Sequence, residues 1–349
     1  MKGLSRRRIV AVSLVLLVIW ACTALFALAV GSVRIPPRTL IRLVAERVSG
    51  RSPLEEPFAT ILFSIRLPRV CLGSLVGAAL AMAGAAFQSL LRNPLADPFV
   101  LGVSTGASFG TILYSLLTAS WGAAEAAAGL AYGRPVAAFA GAALVVAAVY
   151  FLSGSGRGTA DSSQRLLLSG IVLASFLSSI NVILLTSTSQ ADLRGIFYWL
   201  IGDLSRPVDA SIYVVTLLVL AGFLLLYPFS RSLNLIATGE EDAAILGIEV
   251  PRVKAGVYLV ASLITGAVVS VSGPVAYIGL ICPHLGRMMF GSDNRILFPT
   301  VFVFGAIFTL LADTLARTLL SPAELPVGVI TALVGAPLFV YLVRRGSGQ

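Results

Sequence analysis

The chain has 349 residues, of which 57% are hydrophobic and only 12% charged, and its mean hydropathy is +0.95. This composition excludes a soluble globular domain and predicts an integral membrane protein. The net charge of +9 does not indicate a nucleic-acid partner, because the basic residues punctuate the ends of apolar runs instead of forming a stripe.

The apolar runs are long, free of Asn-Gly turns and rich in Ala, Leu, Val and Gly, which predicts helices and not a barrel. Lys2, Arg6, Arg7 and Arg8 precede an unbroken apolar run at 9–30. Residues 27–29 mimic a signal-peptidase site, but the run is longer than a signal peptide needs. It is read as the first span, with the N-terminus cytoplasmic. Further spans follow at 70–91, 99–118, 135–152, 166–187, 211–229, 253–271, 275–289, 296–319 and 327–343. Ten spans return the C-terminus, with Arg344 and Arg345, to the cytoplasm, and the whole chain reads as one transmembrane domain. The outer segment 31–69 is anomalously basic, carrying Arg34, Arg38, Arg42, Arg47, Arg51, Arg66 and Arg69. Without it the basic residues lie mostly inside.

Gly73, Gly77 and Ala81 on the second span, and Gly102, Gly106 and Gly110 on the third, form ladders of small residues suited to close helix approach in lipid. Between them, Arg92–Pro98 (RNPLADP) reads as a rigid cytoplasmic turn, with Asn93 and Asp97 capping freed backbone groups. GVSTG at 102–106 matches a nucleophile-elbow pattern. It lies inside an apolar helical run with His284 as the only candidate base, so hydrolase chemistry is not inferred. After a polar loop at 154–163, residues 191–204 read as an interfacial helix with Tyr198 and Trp199 at headgroup level.

The segment 233–254 is acidic and lies between two spans. Thr238 followed by Glu241 reads as a capping box, and Gly247 as a helix stop. Glu240, Glu241 and Asp242 crowd the first turn, where the helix dipole favours negative charge. The resulting helix is too short to cross a bilayer, and its apolar side (Ala243, Ala244, Ile245, Leu246, Ile248) has nothing local to pack on. It is either a loop helix lying on its own protein or a docking knob for another one. Gly and Pro then break the span at 273–287. Asp313 and Arg317, four apart, are expected to pair. Cys22, Cys71 and Cys282 read as buried small residues, and His284 as a hydrogen-bonded packing residue rather than a metal ligand. Neither lysine, Lys2 or Lys254, lies in a phosphate-binding loop, so ATP hydrolysis is not expected of this chain.

Several motifs together resemble one family, the FecCD/BtuC-like permease subunits of ABC importers for iron–siderophores, haem and cobalamin. They are IRLPR at 65–69, RNPLADPFVLGVSTGA at 92–107, LNLIATGEEDAAILGI at 233–248, GPVAYIGLICPHLGR at 273–287, LLADTLAR at 310–317 and AELPVGVITALVGAPLFVYL at 323–342. The resemblance implies an all-α, ten-helix type II importer permease in the inner membrane, working as a homodimer. It implies two cytoplasmic ATPase subunits that bind ATP and Mg, and an extracytoplasmic substrate-binding protein. No cofactor or metal is implied in this chain. On the same footing, 233–248 is a coupling segment touching the ATPase through Leu235, Thr238, Glu240, Glu241, Ala244, Leu246 and Gly247. Asn93, Leu95, Ser162 and Ser163 match a cytoplasmic gate. Arg66, Arg69 and Arg317 match outward-facing arginines that receive glutamates of the binding protein. The alternative class is an ion-gradient-driven secondary transporter. It needs an unpaired buried carboxylate, and Asp313 is the nearest candidate.

Overall fold

The second span is the element around which the others pack. It runs as helix α3 (Pro57–Leu90) in a computed structural model that describes residues 6–50, 57–119, 133–154, 162–188, 190–205 and 211–346. Before it come α1 (Arg6–Ala29) and a short basic helix, α2 (Pro37–Val48). After it come α4 (Val103–Ala119), α5 (Gly133–Leu152), α6 (Ser162–Thr186), α7 (Gln190–Ile201) and α8 (Ser211–Leu226). The chain continues through α9 (Ser230–Thr238), α10 (Glu240–Ile245), α11 (Val250–Ser272), α12 (Ile278–Phe290), α13 (Asn294–Thr318) and α14 (Val327–Gly346). No strand occurs among the described residues. Among the described residues seven helices are long and apolar enough to cross a membrane, and α4, α12 and α14 are further apolar helices. The count is approximately that of the ten spans expected from the sequence.

Helix α3 is buried along almost its whole length and packs on α11, α12 and α13, while α4, α5 and α6 associate beside it. Small residues make this possible, since lipid offers no hydrophobic drive and backbones must approach closely for van der Waals contact to hold them. A Cβ added at Gly77 would lie 2.2 Å from the Gly305 carbonyl oxygen, and one at Gly84 would lie 1.9 Å from that of Gly279. The same holds where α4 meets α5, at Gly106 against Gly141 and at Gly110 against Ala137.

Gly102 departs from this pattern. It adopts φ +81 and ends a 3-10 turn (Pro98–Leu101), so α4 begins at Val103 and the third span starts later than expected. Ser104 therefore sits in the first turn of a helix, not inside a helical run. Asp97 caps the 3-10 turn by accepting from the Phe99 N–H at 2.8 Å, and Asn93 Oδ1 accepts from the Leu95 N–H at 2.9 Å. Both prolyl-turn caps expected from the sequence are made.

The span after α11 is broken. Helix α11 stops at Ser272, Gly273 takes φ +67, and α12 begins only after Tyr277 at φ +69. Helix α7 closes on this break. The Asp203 N–H donates to the Ser272 carbonyl at 2.8 Å, and Gly273 lies against the Trp199 carbonyl. Trp199 is consequently buried in the core, and only Tyr198 of that pair faces outward. The expectation of two aromatics at headgroup level is corrected, because α7 is clamped against α11 and α14 instead of floating at the interface. Cys282 is buried as expected, whereas Cys22 and Cys71 are exposed on the outer faces of their helices.

These contacts predict a sharp contrast between two glycines of one helix. Gly84→Ala should lower the thermal stability of the detergent-solubilised chain by about 1–3 kcal/mol through overpacking. Gly73→Ala, whose new Cβ meets its nearest atom at 3.4 Å, should change it little. Equal melting temperatures for the two variants would contradict the packing described.

Candidate functional site

Two polar clusters lie at opposite ends of the helices, and together they contain most residues singled out from the sequence. The first is built around α10, at the end of the molecule where α1 begins. Helix α9 runs to Thr238, whose hydroxyl donates to the Leu235 carbonyl at 2.8 Å. Gly239 is extended and serves as N-cap of α10 without a side-chain cap. The capping box expected from Thr238 and Glu241 is thus not formed, because Thr238 still belongs to the preceding helix. The predicted stop does form. Gly247 takes φ +85, its N–H donates to the Ala244 carbonyl, and the Ile248 N–H donates to the Ala243 carbonyl, a Schellman closure.

This closure fixes the orientation of α10. Ala243 faces the core, while Ile245 and Leu246 are 83% and 64% exposed. Ala244, Glu241 and Gly247 are also exposed, and Leu235 is half-buried against the core. Glu240 points inward. Its carboxylate pairs with Lys254 at 2.7 Å at the base of α11 and with Arg92 at 3.3 Å in the prolyl turn. The sequence reading placed Glu240 in the outward contact set. The structure makes it a strut joining α10 to the turn that carries Asn93 and Leu95, the latter 50% exposed. Ser162 and Ser163 begin α6, but their side chains, and loop 155–161 before them, lie outside the described residues. Ile245 was not among the contact residues named from the sequence, although it belonged to the apolar side recognised there.

A second clamp steadies α9. Asn234 Nδ2 donates to Asp293 Oδ1 at 2.7 Å, and Asn234 Oδ1 accepts from the Asn294 N–H at 2.9 Å. Asp293 also N-caps α13. The Arg295 guanidinium beside it, joined by burial working in the opposite direction and by bonds from the Arg295 N–H and Asn234, holds its carboxyl at about 2.

The other cluster lies where α2 sits. It contains Arg66, Arg69 and Arg317, all 4% exposed or less. Arg69 pairs with Asp313 at 2.8 Å and with Glu324 at 2.6 Å. Arg317 Nε lies 3.1 Å from Asp313 Oδ2, a charge contact that is not aligned as a hydrogen bond, and its Nη2 donates to the Ala27 carbonyl. Arg66 donates to the carbonyls of Leu28, Ala29 and Val33. It leaves α3 through a π-helical turn, Ile61–Arg66, and a Cβ at Gly31 would collide with its guanidinium. The expected Asp313–Arg317 pair is therefore present but is part of a larger knot. The three arginines matched to a docking role are buried at this end, and carboxylates and carbonyls of this chain engage all of them. They line a recess of about 160 Å³ with Ser32, Val33, Ile61, Ile65 and Glu324. Among the described residues no cluster of His, Cys, Asp and Glu is arranged to hold a metal ion.

Comparison with known proteins places this architecture. The FecCD transport family model matches residues 16–345. The haemin transport system permease protein HmuU of Yersinia pestis is 39% identical over 289 residues, covering 83% of this chain and 84% of that one. The cobalamin import system permease protein BtuC of Halobacterium salinarum is 38% identical over 289 residues, covering 83% and 74%. A solved structure of a metal-chelate type ABC transporter in an inward-facing conformation superposes with a TM-score of 0.82 at 28% identity, covering 96% of this chain and 99% of that one.

Two outcomes test the clusters. Asp313→Asn leaves Arg69 and Arg317 short of their shared counter-charge and should cost about 3–5 kcal/mol, read as loss of the monodisperse detergent-solubilised species on heating. For Asp293, the folded carboxyl titrates below the ordinary ~3.9. The stability it contributes is therefore complete above pH ~4 and disappears as pH falls through about 2. Asp293→Asn should flatten the acid limb of the stability profile, and an unchanged limb would remove Asp293 from the account.

Proposed function

We propose, for a chain that belongs to the FecCD transport family and is a membrane-spanning permease subunit of an ABC importer, that it works as a homodimer moving a metal chelate inward. The haem and cobalamin permeases among its relatives support a bulky chelated cargo, and the proposed cargo is an iron chelate. On this reading the end bearing α10 and both termini is cytoplasmic, and the recess with Arg66, Arg69 and Arg317 faces the extracytoplasmic binding protein. The chain contributes no nucleotide site. Two ATPase subunits supply the motive force, and ATP and Mg are bound there.

The observation that carries the proposal is the exposed Ile245–Leu246 pair. A glycine-closed helix of six residues is held in place by an inward ion pair and presents two large aliphatic side chains away from the core. Such a surface suits a hydrophobic cleft in a partner better than water. When the ATPase pair closes, α10 moves with it. Glu240 then transmits the displacement to Arg92 and hence to Asn93 and Leu95 at the inner end of the path. Ser162 and Ser163, at the start of α6, are assigned to the same constriction.

A proton- or sodium-driven mechanism would need a carboxylate free to exchange its charge. Asp313 is buried between Arg69 and Arg317, which disfavours that role and supports ATP drive.

Two variants separate the parts of α10. Ile245→Asp with Leu246→Asp should abolish co-purification of the ATPase subunits. Glu240→Gln should leave the complex assembled but lower cargo uptake per ATP hydrolysed several-fold, with roughly 1 kcal/mol of coupling lost from a partly exposed pair. Normal assembly and uptake in the aliphatic variant would refute the coupling assignment.

A further inference from the structure

Among the described residues, the recess at the α2 end holds three guanidinium groups and two carboxylates, Asp313 and Glu324. The two acids are not equivalent. Asp313 is 1% exposed at its side chain and is fixed between Arg69 and Arg317. Glu324 is 32% exposed, sits in the connection between α13 and α14, and makes its ion pair with Arg69 Nη1 while Arg66 and Arg317 lie within its electrostatic reach. Among the described residues Arg66 has no carboxylate within ion-pair distance, and it is held by the carbonyls of Leu28, Ala29 and Val33. The uncompensated positive charge therefore lies next to Arg69, on the side that Glu324 covers. Val33 and Ile65, both exposed, form an apolar rim, and the cavity of about 160 Å³ has room for several atoms beyond a single water's share of roughly 30 Å³.

We propose that Glu324 is a resident stand-in for a carboxylate of the docking partner, and that docking exchanges the one for the other on Arg69. The exchange keeps the charge of the recess unchanged. The incoming carboxylate takes the Arg69 Nη1 position and the attraction of Arg66 that Glu324 now feels, while Glu324 swings to solvent, which its partial exposure already allows. Asp313 stays in place and offsets the repulsion between Arg69 and Arg317. A buried guanidinium is costly to leave unpaired, so a stand-in that is easily surrendered keeps the empty permease intact. It also weakens the partner's hold, because every docking event must first displace it. The partner surface must therefore present an acidic side chain on a projection narrow enough to pass Val33 and Ile65.

This inference rests on the reading that the recess docks the extracytoplasmic binding protein. The test measures equilibrium binding of that protein, from the same transporter, to the permease–ATPase complex in nanodiscs, for the native chain, Glu324→Gln and Arg69→Gln. Glu324→Gln keeps the side-chain length and should tighten binding by roughly tenfold, chiefly through slower dissociation. Arg69→Gln should weaken it by at least as much. Unchanged binding in Arg69→Gln would overturn the docking reading itself. Weakened binding in Arg69→Gln with unchanged or weakened binding in Glu324→Gln would leave docking standing and overturn the stand-in. Size-exclusion profiles and melting temperatures of the three complexes show whether a variant has lost its fold. If Glu324→Gln has done so, Glu324→Asp, which shortens the reach to Arg69 while keeping the charge, must still tighten binding for the proposal to survive.

Discussion

Backbone-to-backbone contact along α3 is the constraint on which the remaining structure depends. Gly77 on Gly305 and Gly84 on Gly279 leave no room for a side-chain atom, so α12 and α13 are held at the closest separation helices allow. Because α3 is buried on nearly all sides, it fixes the register of every helix that touches it. One of its ends bears the arginine knot, and the other leads into the prolyl turn against which α10 is braced. An exposed helix such as α1, whose surface is a run of Val, Leu and Ile, could not serve this purpose.

The two ends obey different physics. At the α2 end the charges are withdrawn from solvent, where ion pairs strengthen but every unmatched group becomes expensive. At the α10 end the pairs of Glu240 with Arg92 and Lys254 are partly open to water and correspondingly weak. On the proposed function, a rigid receiving face and a yielding transmitting face suit a conduit driven from outside. The broken span between α11 and α12 lies between them, with α7 closing on its glycine corner. Irregular backbone at this depth is tolerated because protein, not lipid, surrounds it.

Much of this was legible in the sequence because membrane helices announce themselves by length and hydropathy, and because small residues at four-residue spacing have few other uses. The ten spans, the caps of Asn93 and Asp97, the Gly247 stop and the Asp313–Arg317 pair all follow from local pattern. What was not legible depends on partners far along the chain. The surroundings of Arg69 include Asp313 and Glu324, 244 and 255 residues away, so a one-dimensional reading sees an exposed basic motif where the fold makes a buried knot. Glu324 itself read only as part of the 323–342 motif. Thr238 misled for the opposite reason. Its spacing to Glu241 is that of a capping box, but α9 runs up to it and uses its hydroxyl internally. Trp199 reads as an interfacial aromatic until α7 is seen clamped by Gly202, Gly273 and Gly328.

The central claim is that this chain moves cargo only when force reaches it from outside. The most direct measurement is uptake of radio-iron siderophore, haemin or cyanocobalamin into proteoliposomes holding either the permease alone or the permease with its ATPase subunits and binding protein. The account predicts accumulation against a gradient only in the complete assembly with ATP, whatever proton or sodium gradient is imposed. Accumulation by the permease alone under an ion gradient would contradict it.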